Sequence, residues 1–417
     1  MAALSIVLLL AGVAGAVTRP LRLPAWAVPV AAAAIDLLAG AATESQARRS
    51  LSELGQPIGF LLAAVPLAVL LDRLGFFSAA ARAMTRGRRS LGALWVLAAV
   101  VTTVLNLDAS VVLLTPLYVR VARRRGMDPF LAGVQPLILA WLASSALPVS
   151  NLTNLIVASG TGASAVTFLV HLGPPSLVAS GAGWLCYRRA APRLMARRSA
   201  SRPVLSGAAV DEAPLDAAER SALRLGGAVV LGVLVGFVLG RDVGIVEWQV
   251  AVAADVLLLL LLRFRGPEWR PLPWRSVPVG TALVAAALGV LATAAVAHVD
   301  VGSLLGGDSV GGLARTAGVA ALGANVVNNL PALLVLLPSY GHHAGASLWA
   351  ALLGVNMGPV LVVTGTLASL LWLETLASFD VPVRRSDVTL VGVLVGLPAA
   401  AAGVGTLLVL RAAGVSA

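Results

Sequence analysis

The sequence predicts an all-α, polytopic membrane protein with about ten or eleven transmembrane helices, arranged as two inverted-topology repeats. Of its 417 residues, 59% are apolar and 12% are charged, whereas a soluble domain carries about 25% charged residues. Apolar runs recur along the whole chain, and many approach the roughly 20 residues that a helix needs to cross the hydrocarbon core. Because these runs leave no stretch of useful size for a soluble domain, we expect lipid to surround most of the protein.

The apolar runs form two groups on either side of one polar stretch. The first run resembles a secretory signal, but no basic segment precedes it and many spans follow, so it is predicted to be the first membrane helix. The polar stretch, 188–224, is predicted to be a cytoplasmic loop that connects an N-terminal repeat, 1–187, with a C-terminal repeat, 225–417. The predicted spans are 2–17, 24–42, 57–74, 91–119, 130–160, 172–187, 225–240, 246–262, 278–297, 309–338, 346–374 and 388–411.

Two sequence signatures occur in the same order in both halves. The segments that begin at Asn106 and Asn328 each run through an aliphatic stretch and reach a proline ten positions later. Each is followed by a second matched segment, 150–156 in the first half and 365–371 in the second. The recurrence favours an internal repeat, in which each half contains a re-entrant hairpin and a broken helix. The predicted hairpins are 91–119 and 309–338, and the predicted broken helices are 130–160 and 346–374.

The charges that flank the two hairpins differ. Four arginines between 82 and 89 and four between 120 and 125 bracket the first hairpin, which places both of its ends in the cytoplasm by the positive-inside rule. The second hairpin is bracketed by 298–308 and 340–345, which contain no arginine, so its ends are predicted to lie outside. Equivalent segments of opposite orientation define an inverted repeat, and such repeats hold their substrate site near the bilayer midplane.

Polar residues interrupt the hairpins and broken helices. Broken helices occur in membranes only where they line a protein cavity, and their opposed ends present N–H and C=O groups to ions and solutes. Amide and hydroxyl side chains beside them would complete a shell suited to Na⁺ or to a polar neutral solute. The alternative left open is that they hydrogen-bond neighbouring helices, at about 0.6 kcal/mol per contact. The candidate substrate- or ion-binding residues are Asn106, Ser110, Ser150, Asn151, Thr153 and Asn154 in the first half, and Asn325, Asn328, Asn329, Thr364, Thr366 and Ser369 in the second.

Asp108 is the candidate proton-coupling residue. It lies at the tip of the first hairpin with no other charge nearby in the sequence, and a carboxylate inside a membrane segment is a functional hypothesis by default because its burial is unfavourable. The equivalent position in the second half is Leu330, so the two sites differ chemically. The alternative left open is a structural pairing of Asp108 with an arginine such as Arg315.

The composition argues against several classes of function. The net charge is +11, but the arginines lie in short loops, as in cytoplasmic loops of membrane proteins, and this argues against nucleic-acid binding. The chain has no lysine and one cysteine, Cys186, so it lacks a GxxxxGK[ST] nucleotide loop, a Schiff-base lysine and a thiolate metal cluster. We find no catalytic dyad, and we expect no enzyme activity, no bound metal and no cofactor. Energy for transport would come from an ion gradient or a partner ATPase.

These motifs resemble those of the arsenical-pump membrane protein family, the arsenite and antimonite efflux permeases. The family belongs to the ion-transporter superfamily, with divalent-anion/sodium symporters, citrate transporters and certain sodium/proton antiporters. The resemblance rests on Leu-Asp-Ala-Ser-Val-Val-Leu-Leu-Thr-Pro, Ser-Asn-Leu-Thr-Asn-Leu, Asn-Val-Val-Asn-Asn-Leu-Pro and Gly-Thr-Leu-Ala-Ser-Leu-Leu-Trp. It implies hairpin tips at 106–110 and 325–329, breaks at 150–154 and 364–369, and exchange of substrate for protons with or without an ATPase. The first tip departs from the family's usual Asn-Asp-Gly.

The sequence therefore predicts a multi-pass secondary transporter of the bacterial inner (plasma) membrane. The first hypothesis is proton-coupled efflux of arsenite, antimonite or a similar small solute; arsenite is an uncharged tris-hydroxy species at neutral pH, which amides and hydroxyls can hold without thiols. The alternatives left open are Na⁺- or proton-coupled transport of a small carboxylate such as citrate or a dicarboxylate, and sodium/proton antiport. Also left open are a cytoplasmic ATPase partner and a homodimer.

Overall fold

The structure is a computed structural model that describes residues 2–84, 90–199, 214–240, 244–264, 277–296, 301–341, 345–362 and 366–414. Its described residues form helices and connecting turns without a β-strand, which confirms the predicted all-α class. The helices of the N-terminal half are α1 (Ala2–Thr18), α2 (Ala27–Leu38), α3 (Glu44–Arg73), α4 (Phe76–Met84), α5 (Ser90–Val104), α6 (Leu107–Arg124), α7 (Pro129–Gly133), α8 (Gln135–Leu142), α9 (Leu152–Thr161) and α10 (Ala165–Ser199). Those of the C-terminal half are α11 (Ala217–Leu239), α12 (Glu247–Phe264), α13 (Val279–Val296), α14 (Val310–Val327), α15 (Asn329–Leu336), α16 (Ala346–Met357), α17 (Leu367–Ser378), α18 (Arg385–Val391) and α19 (Leu397–Ala412).

Long apolar helices make the chain a multi-pass membrane protein. Shorter apolar helices of 10–17 residues accompany them, as expected of the predicted half-crossing segments. Among the described residues, the helices with the length and hydropathy to cross a membrane are Glu44–Arg73, Ala165–Arg197, Ala217–Leu239, Val279–Val296, Val310–Val327 and Ser386–Ala412.

Several helices extend beyond the predicted apolar spans. Helix α11 begins at Ala217, inside the predicted connecting loop, where Asp216 forms a capping box with Glu219. Helix α3 begins at Glu44, 13 residues before the predicted 57–74 span, because Thr43 forms a capping box with Gln46 and charged side chains on its first turns stay exposed. Helix α10 continues to Ser199, into the segment predicted as the connecting loop, because its alanine- and arginine-rich end favours helix. Residues 200–213 of that predicted loop lie outside the described residues.

Each predicted hairpin corresponds to two helices separated by an asparagine. The first is α5 and α6, joined at Asn106, whose Oδ1 accepts a hydrogen bond from the N–H of Asp108 at 2.8 Å. The second is α14 and α15, joined at Asn328, whose Oδ1 accepts from the N–H of Leu330 at 3.3 Å. Asn328 has a φ of 81°, a region that asparagine enters more readily than most residues. An asparagine N-cap therefore starts the second helix of both pairs.

The two predicted broken helices are interrupted in similar ways. After α8 the chain passes through a short 3₁₀ turn at Pro148–Ser150, and Asn151 then caps α9 by accepting from the N–H of Thr153 at 3.3 Å. After α16 the helix stops, and α17 starts where Thr366 Oγ1 accepts from the N–H of Ser369 at 3.1 Å. The predicted site residue Thr364 lies outside the described residues.

The apolar interior divides into a large and a small cluster of buried side chains. The large cluster surrounds both hairpins and both broken helices. The small cluster is formed by α1, α2, the start of α3 and α13. Val327, Leu334 and Val335 of the second hairpin pack against both clusters, so this hairpin joins the two bodies of packed side chains.

Candidate substrate site

The first tip presents one carboxylate with an unpaired oxygen. Asp108 lies in the first turn of α6, and its Oδ1 is buried without a hydrogen-bond partner in the described part of the chain. Beside it, the buried Ser110 accepts a hydrogen bond from Thr102 Oγ1 at 2.8 Å. A buried acceptor without a donor is unfavourable by about 1–3 kcal/mol. Asp108 therefore retains an oxygen that can bind a proton, an ion or a solute hydroxyl.

The alternative left open for Asp108, a structural pairing with an arginine such as Arg315, is not formed with Arg315. Arg315 Nη2 donates instead to the carbonyl of Ser303 at 3.2 Å, on the exposed side of α14. None of the ion pairs identified among the described residues includes Asp108. They are Arg19–Glu374, Arg48–Glu44, Arg49–Glu53 and Arg82–Glu219.

The first break is held by an asparagine that lies in the other half of the chain. Asn356, near the end of α16, is 2% exposed, and its Oδ1 accepts from Asn151 Nδ2 at 3.0 Å and from Thr153 Oγ1 at 2.6 Å. Its Nδ2 donates to Asn154 Oδ1 at 2.7 Å and to Ser145 Oγ at 3.2 Å. Three predicted binding residues of the first break therefore meet at one amide of the C-terminal half.

The first break also contacts the first hairpin. The hydroxyl of Ser150 donates to the carbonyl of Thr103 at 2.6 Å. Thr103 Oγ1 in turn donates to the carbonyl of Ala143, just beyond α8, at 3.1 Å. The end of α5 is thus joined to both sides of the break, a few residues from Asn106.

The second tip contacts the same end of α16. Asn325 Nδ2 donates to the carbonyl of Ala321 and to the carbonyl of Gly358, each at 2.8 Å, while its Oδ1 is buried without a partner in the described chain. Asn328 and Asn329 use their Oδ1 atoms locally, on the N–H of Leu330. The second tip therefore also keeps one free amide oxygen, on Asn325.

The helix that follows the second break packs against the helix that carries Asp108. Helices α6 and α17 pack together, and their C-terminal ends adjoin: Arg120 lies over the Phe379 ring at 5.8 Å, and Arg123 donates to the Phe379 carbonyl. The buried hydroxyls of Thr366 and Ser369, at the start of α17, lie 2.8 Å apart.

The last helical stretch of the described chain consists of α18, a short π-helical segment and α19, and we call it the closing helix. It supports the backbone that follows α16. Between α18 and α19 the chain forms one π-helical segment, Gly392–Gly396, a feature that recurs at functional sites. A methyl group added at Gly392 would lie 1.8 Å from the carbonyl oxygen of Val360, and one at Gly396 would lie 2.8 Å from Val360 Cβ. The two glycines therefore let the non-helical chain at Val360 approach the closing helix closely.

Hydrogen bonds link the first break to both hairpins, whereas the bonds of Asn106 and Ser110 described above stay within the first hairpin. Thr103, at the end of α5, accepts from Ser150 of the first break. Asn356 joins the first break to α16, and Gly358, which follows α16, accepts from Asn325 of the second tip. The sequence analysis missed Asn356 and Ser145. Asn356 is the single amide in the apolar run of α16, which is a local signal that a search of every apolar run would have found.

The arrangement is rich in oxygen and carries little charge. Its partners identified above are amides, hydroxyls and backbone groups, and none of the segments 106–110, 150–154, 325–329 and 364–369 contains arginine, lysine or histidine. Asp108 is the one ionisable residue in these four segments. Such a site suits a neutral polar solute or a cation better than an anion.

Comparison with known proteins gives a consistent result. The arsenical pump membrane proteins of Escherichia coli (strain K12) and Yersinia enterocolitica are each 28% identical to this chain, over 81% of it and 82% of their own length. Among solved structures, the Alcanivorax borkumensis YdaH transporter shares the fold, with a TM-score of 0.54 and 14% identity over 88% of this chain and 89% of that one. The sequence profile of the citrate transporter family, CitMHS, matches residues 3–363. The chain is therefore a secondary transporter that belongs to the citrate transporter family.

Proposed function

We propose that this protein is a proton-coupled exporter of arsenite, antimonite or a similar small inorganic solute, located in the bacterial inner membrane. The observation that carries the proposal is Asp108, a carboxylate in the first turn of a tip helix, with a buried oxygen that has no partner in the described chain. An intramembrane carboxylate without a counter-ion is a typical proton carrier of pumps and transporters. The proton on Asp108 would be exchanged against the solute during each cycle.

The chemistry of the lining supports a neutral solute. Each hydroxyl of arsenite can donate one hydrogen bond and accept others, and the free Oδ1 atoms of Asp108 and Asn325 are acceptors of matching type. Citrate carries several negative charges and would need cations to balance them, yet the four site segments contain no basic residue. The name of the Escherichia coli relative, an arsenical pump membrane protein, agrees with this choice of solute.

Transport would follow from alternating access around a fixed site. In transporters with inverted repeats, two halves rock against each other while the site stays near the midplane. Here the residues proposed to line the site come from both halves of the chain, so a displacement of these segments against the surrounding helices would change access to Asp108 from one side to the other. Protonation of Asp108 on the outer side would favour return of the empty site.

The test is uptake of radiolabelled arsenite into everted vesicles from cells that express the protein. Respiration acidifies the vesicle lumen, so a proton-coupled exporter accumulates arsenite there, and a protonophore should abolish the accumulation. Asp108→Asn keeps the shape of the side chain and removes the titratable group, so we expect loss of gradient-driven accumulation. Asp255→Asn is the matched control, since Asp255 also has a buried, unpartnered oxygen but lies on α12, outside the site.

Either outcome is informative. Loss in Asp108→Asn with normal accumulation in Asp255→Asn supports the proposal, and equal loss in both would show a general need for buried carboxylates. Wild-type vesicles that accumulate no more arsenite than empty vesicles would refute the choice of solute.

The family profile favours the second candidate, Na⁺- or proton-coupled transport of a small carboxylate such as citrate, and uptake of citrate with and without a sodium gradient tests it in the same vesicles. Sodium-driven proton movement without a solute would instead indicate a sodium/proton antiporter.

A further inference from the structure

We propose that Asn356 is a positioning residue for transport: it fastens the first break to the C-terminal half and makes the first break and the second tip move together. The inference rests on the proposed transport function, although the fastening itself can be tested without a substrate. We call the group formed by Asn356 with Asn151, Thr153, Asn154 and Ser145 the amide clasp.

The hydrogen-bonding capacity of Asn356 is fully used inside the protein. A side-chain amide offers two acceptor positions on oxygen and two N–H donors, and Asn356 fills all four, with distances from 2.6 to 3.2 Å. Every member of the amide clasp is buried, with no more than 3% of its surface exposed. Asn356 therefore has no polar capacity left for a solute in this conformation, and its role is to hold other residues in place.

The clasp also uses the groups of the first break that were predicted to bind the solute. Asn154 Oδ1 accepts from Asn356, and its Nδ2 donates to the carbonyls of Ser144 and Leu147, each at 2.8 Å. Asn151 donates to Asn356 while its Oδ1 caps α9. These side chains fix the shape of the break, and a solute could reach them only if the clasp opened.

The same end of α16 holds the second tip. Asn356 and Gly358 are two residues apart, and the Gly358 carbonyl accepts from Asn325 at 2.8 Å. A movement of this end of α16 therefore displaces the first break through Asn356 and the second tip through Asn325. Coupling of this kind needs a continuous physical connection between the parts, and here it consists of two side-chain amides on one short length of backbone.

The hydrogen bonds of the clasp connect residues of the two halves of the chain. The partners of Asn356 are separated from it by 202 to 211 residues in the sequence. A local structural role would not need a partner in the other half, since α9 already has its own cap at Asn151. The clasp thus joins segments of the two halves, and these segments can move together during alternating access only while its hydrogen bonds hold.

The first experiment is a double-mutant cycle on transport. We expect Asn356→Leu, of similar volume, to lower the maximal rate of arsenite accumulation about tenfold and to leave the half-saturating concentration nearly unchanged, because Asn356 does not contact the solute. Thr153→Val removes the shortest bond to Asn356, so in the Asn356→Leu background it should cause no further loss. Thr115→Val is the matched control, since Thr115 is equally buried but its hydroxyl has no partner in the described chain, and its effect should be the same in both backgrounds.

The second experiment reports on the clasp without any substrate. The chain has one cysteine, so Cys186→Ser provides a background in which single cysteines can be labelled with a maleimide. Val149→Cys places the probe in the buried turn of the first break, and Ala251→Cys places a control in α12; both native side chains are fully buried. We expect Asn356→Leu to raise the labelling rate at position 149 about tenfold, through local opening, and to leave position 251 unchanged.

The outcomes separate the two proposals. If Asn356→Leu speeds labelling at position 149 alone and the wild type transports no arsenite, the clasp proposal stands and the proposed solute is refuted. Faster labelling at both positions would show global unfolding and overturn the clasp as a local fastening. A raised half-saturating concentration with an unchanged maximal rate would show that Asn356 contacts the solute, and multiplied losses in Thr153→Val and Asn356→Leu would show that the two act separately. Each of these last two results would overturn the proposal.

Discussion

Substitution of Gly392 tests whether the non-helical backbone after α16 needs its present position. In Gly392→Ala, the new methyl group would lie 1.8 Å from the carbonyl oxygen of Val360, whereas real Cβ atoms do not approach closer than about 3.0 Å. The neighbour is backbone and cannot rotate away, so either the second break or the closing helix must shift by more than about 1 Å. Misplacement of about 1 Å at a working site lowers rates by as much as about 10²-fold.

The effect of Gly392→Ala on stability should leave the protein folded. Overpacking typically lowers the free energy of unfolding by about 1–3 kcal/mol, while replacing a helical glycine by alanine recovers about 0.5–1 kcal/mol of backbone entropy. We therefore expect a folded, inserted protein whose arsenite accumulation falls by one to two orders of magnitude. Vesicle uptake and the thermal unfolding midpoint of detergent-purified protein measure the two effects.

Two further glycines on the same helix provide the controls. At Gly405 an added methyl group meets no atom within 4 Å, so Gly405→Ala should transport normally and unfold at a slightly higher temperature. Gly396→Ala should be intermediate, because its methyl group would lie 2.8 Å from Val360 Cβ, a much smaller overlap than the 1.8 Å approach at Gly392. Wild-type transport in Gly392→Ala, from protein shown to be folded, would refute the reasoning that this close approach positions the break.

Other side-chain contacts give predictions of different magnitude. Trp372 Nε1 donates to the Gly133 carbonyl at 2.6 Å, whereas Trp349 Nε1 has no partner in the described chain. Trp372→Phe should therefore lower the free energy of unfolding by about 1–3 kcal/mol more than Trp349→Phe does. Thermal unfolding of both variants measures the difference, and equal shifts would contradict the prediction. The Arg19–Glu374 pair joins the end of α1 to α17 with side chains 38% and 53% exposed. Arg19→Gln should therefore lower the free energy of unfolding by no more than about 1 kcal/mol, and by less at high salt. A larger loss that is restored when the two charges are exchanged would contradict this and show that the ion pair itself stabilises the fold.

The sequence was sufficient for the features that depend on local chemistry. Asn106 and Asn328 each precede the second helix of a hairpin because an asparagine can cap a helix two residues later, and this signal is readable without the fold. The broken helices were predictable for the same reason, from Asn151 and Thr366. Helix α10 runs past its predicted end because helix propensity, which the apolar pattern does not report, extends it into polar sequence.

The tertiary features of the site were not predictable in the same way. The pairing of Asp108 with Arg315 was chemically reasonable, but whether two side chains meet is decided by helix packing, and α14 directs Arg315 to the surface. The local pattern marks Asn356 as an unusual amide in an apolar run, but its role depends on partners at least 202 residues away, which the pattern cannot identify. The sequence analysis also sought binding groups, whereas several of the residues it selected in the first break use their polar atoms to hold the break itself.

The two tips are built alike and differ at one functional position. Asn106 caps the N–H of Asp108 and Asn328 caps the N–H of Leu330, so equivalent cap hydrogen bonds support a carboxylate in one half and an aliphatic side chain in the other. If both tips carried aspartate, two like charges would lie in a site without a basic residue, and their repulsion would favour the protonated form of at least one of them. A single carboxylate avoids this repulsion. On the proposed function, it also limits the tips to the exchange of one proton per cycle, against a solute that brings no charge of its own.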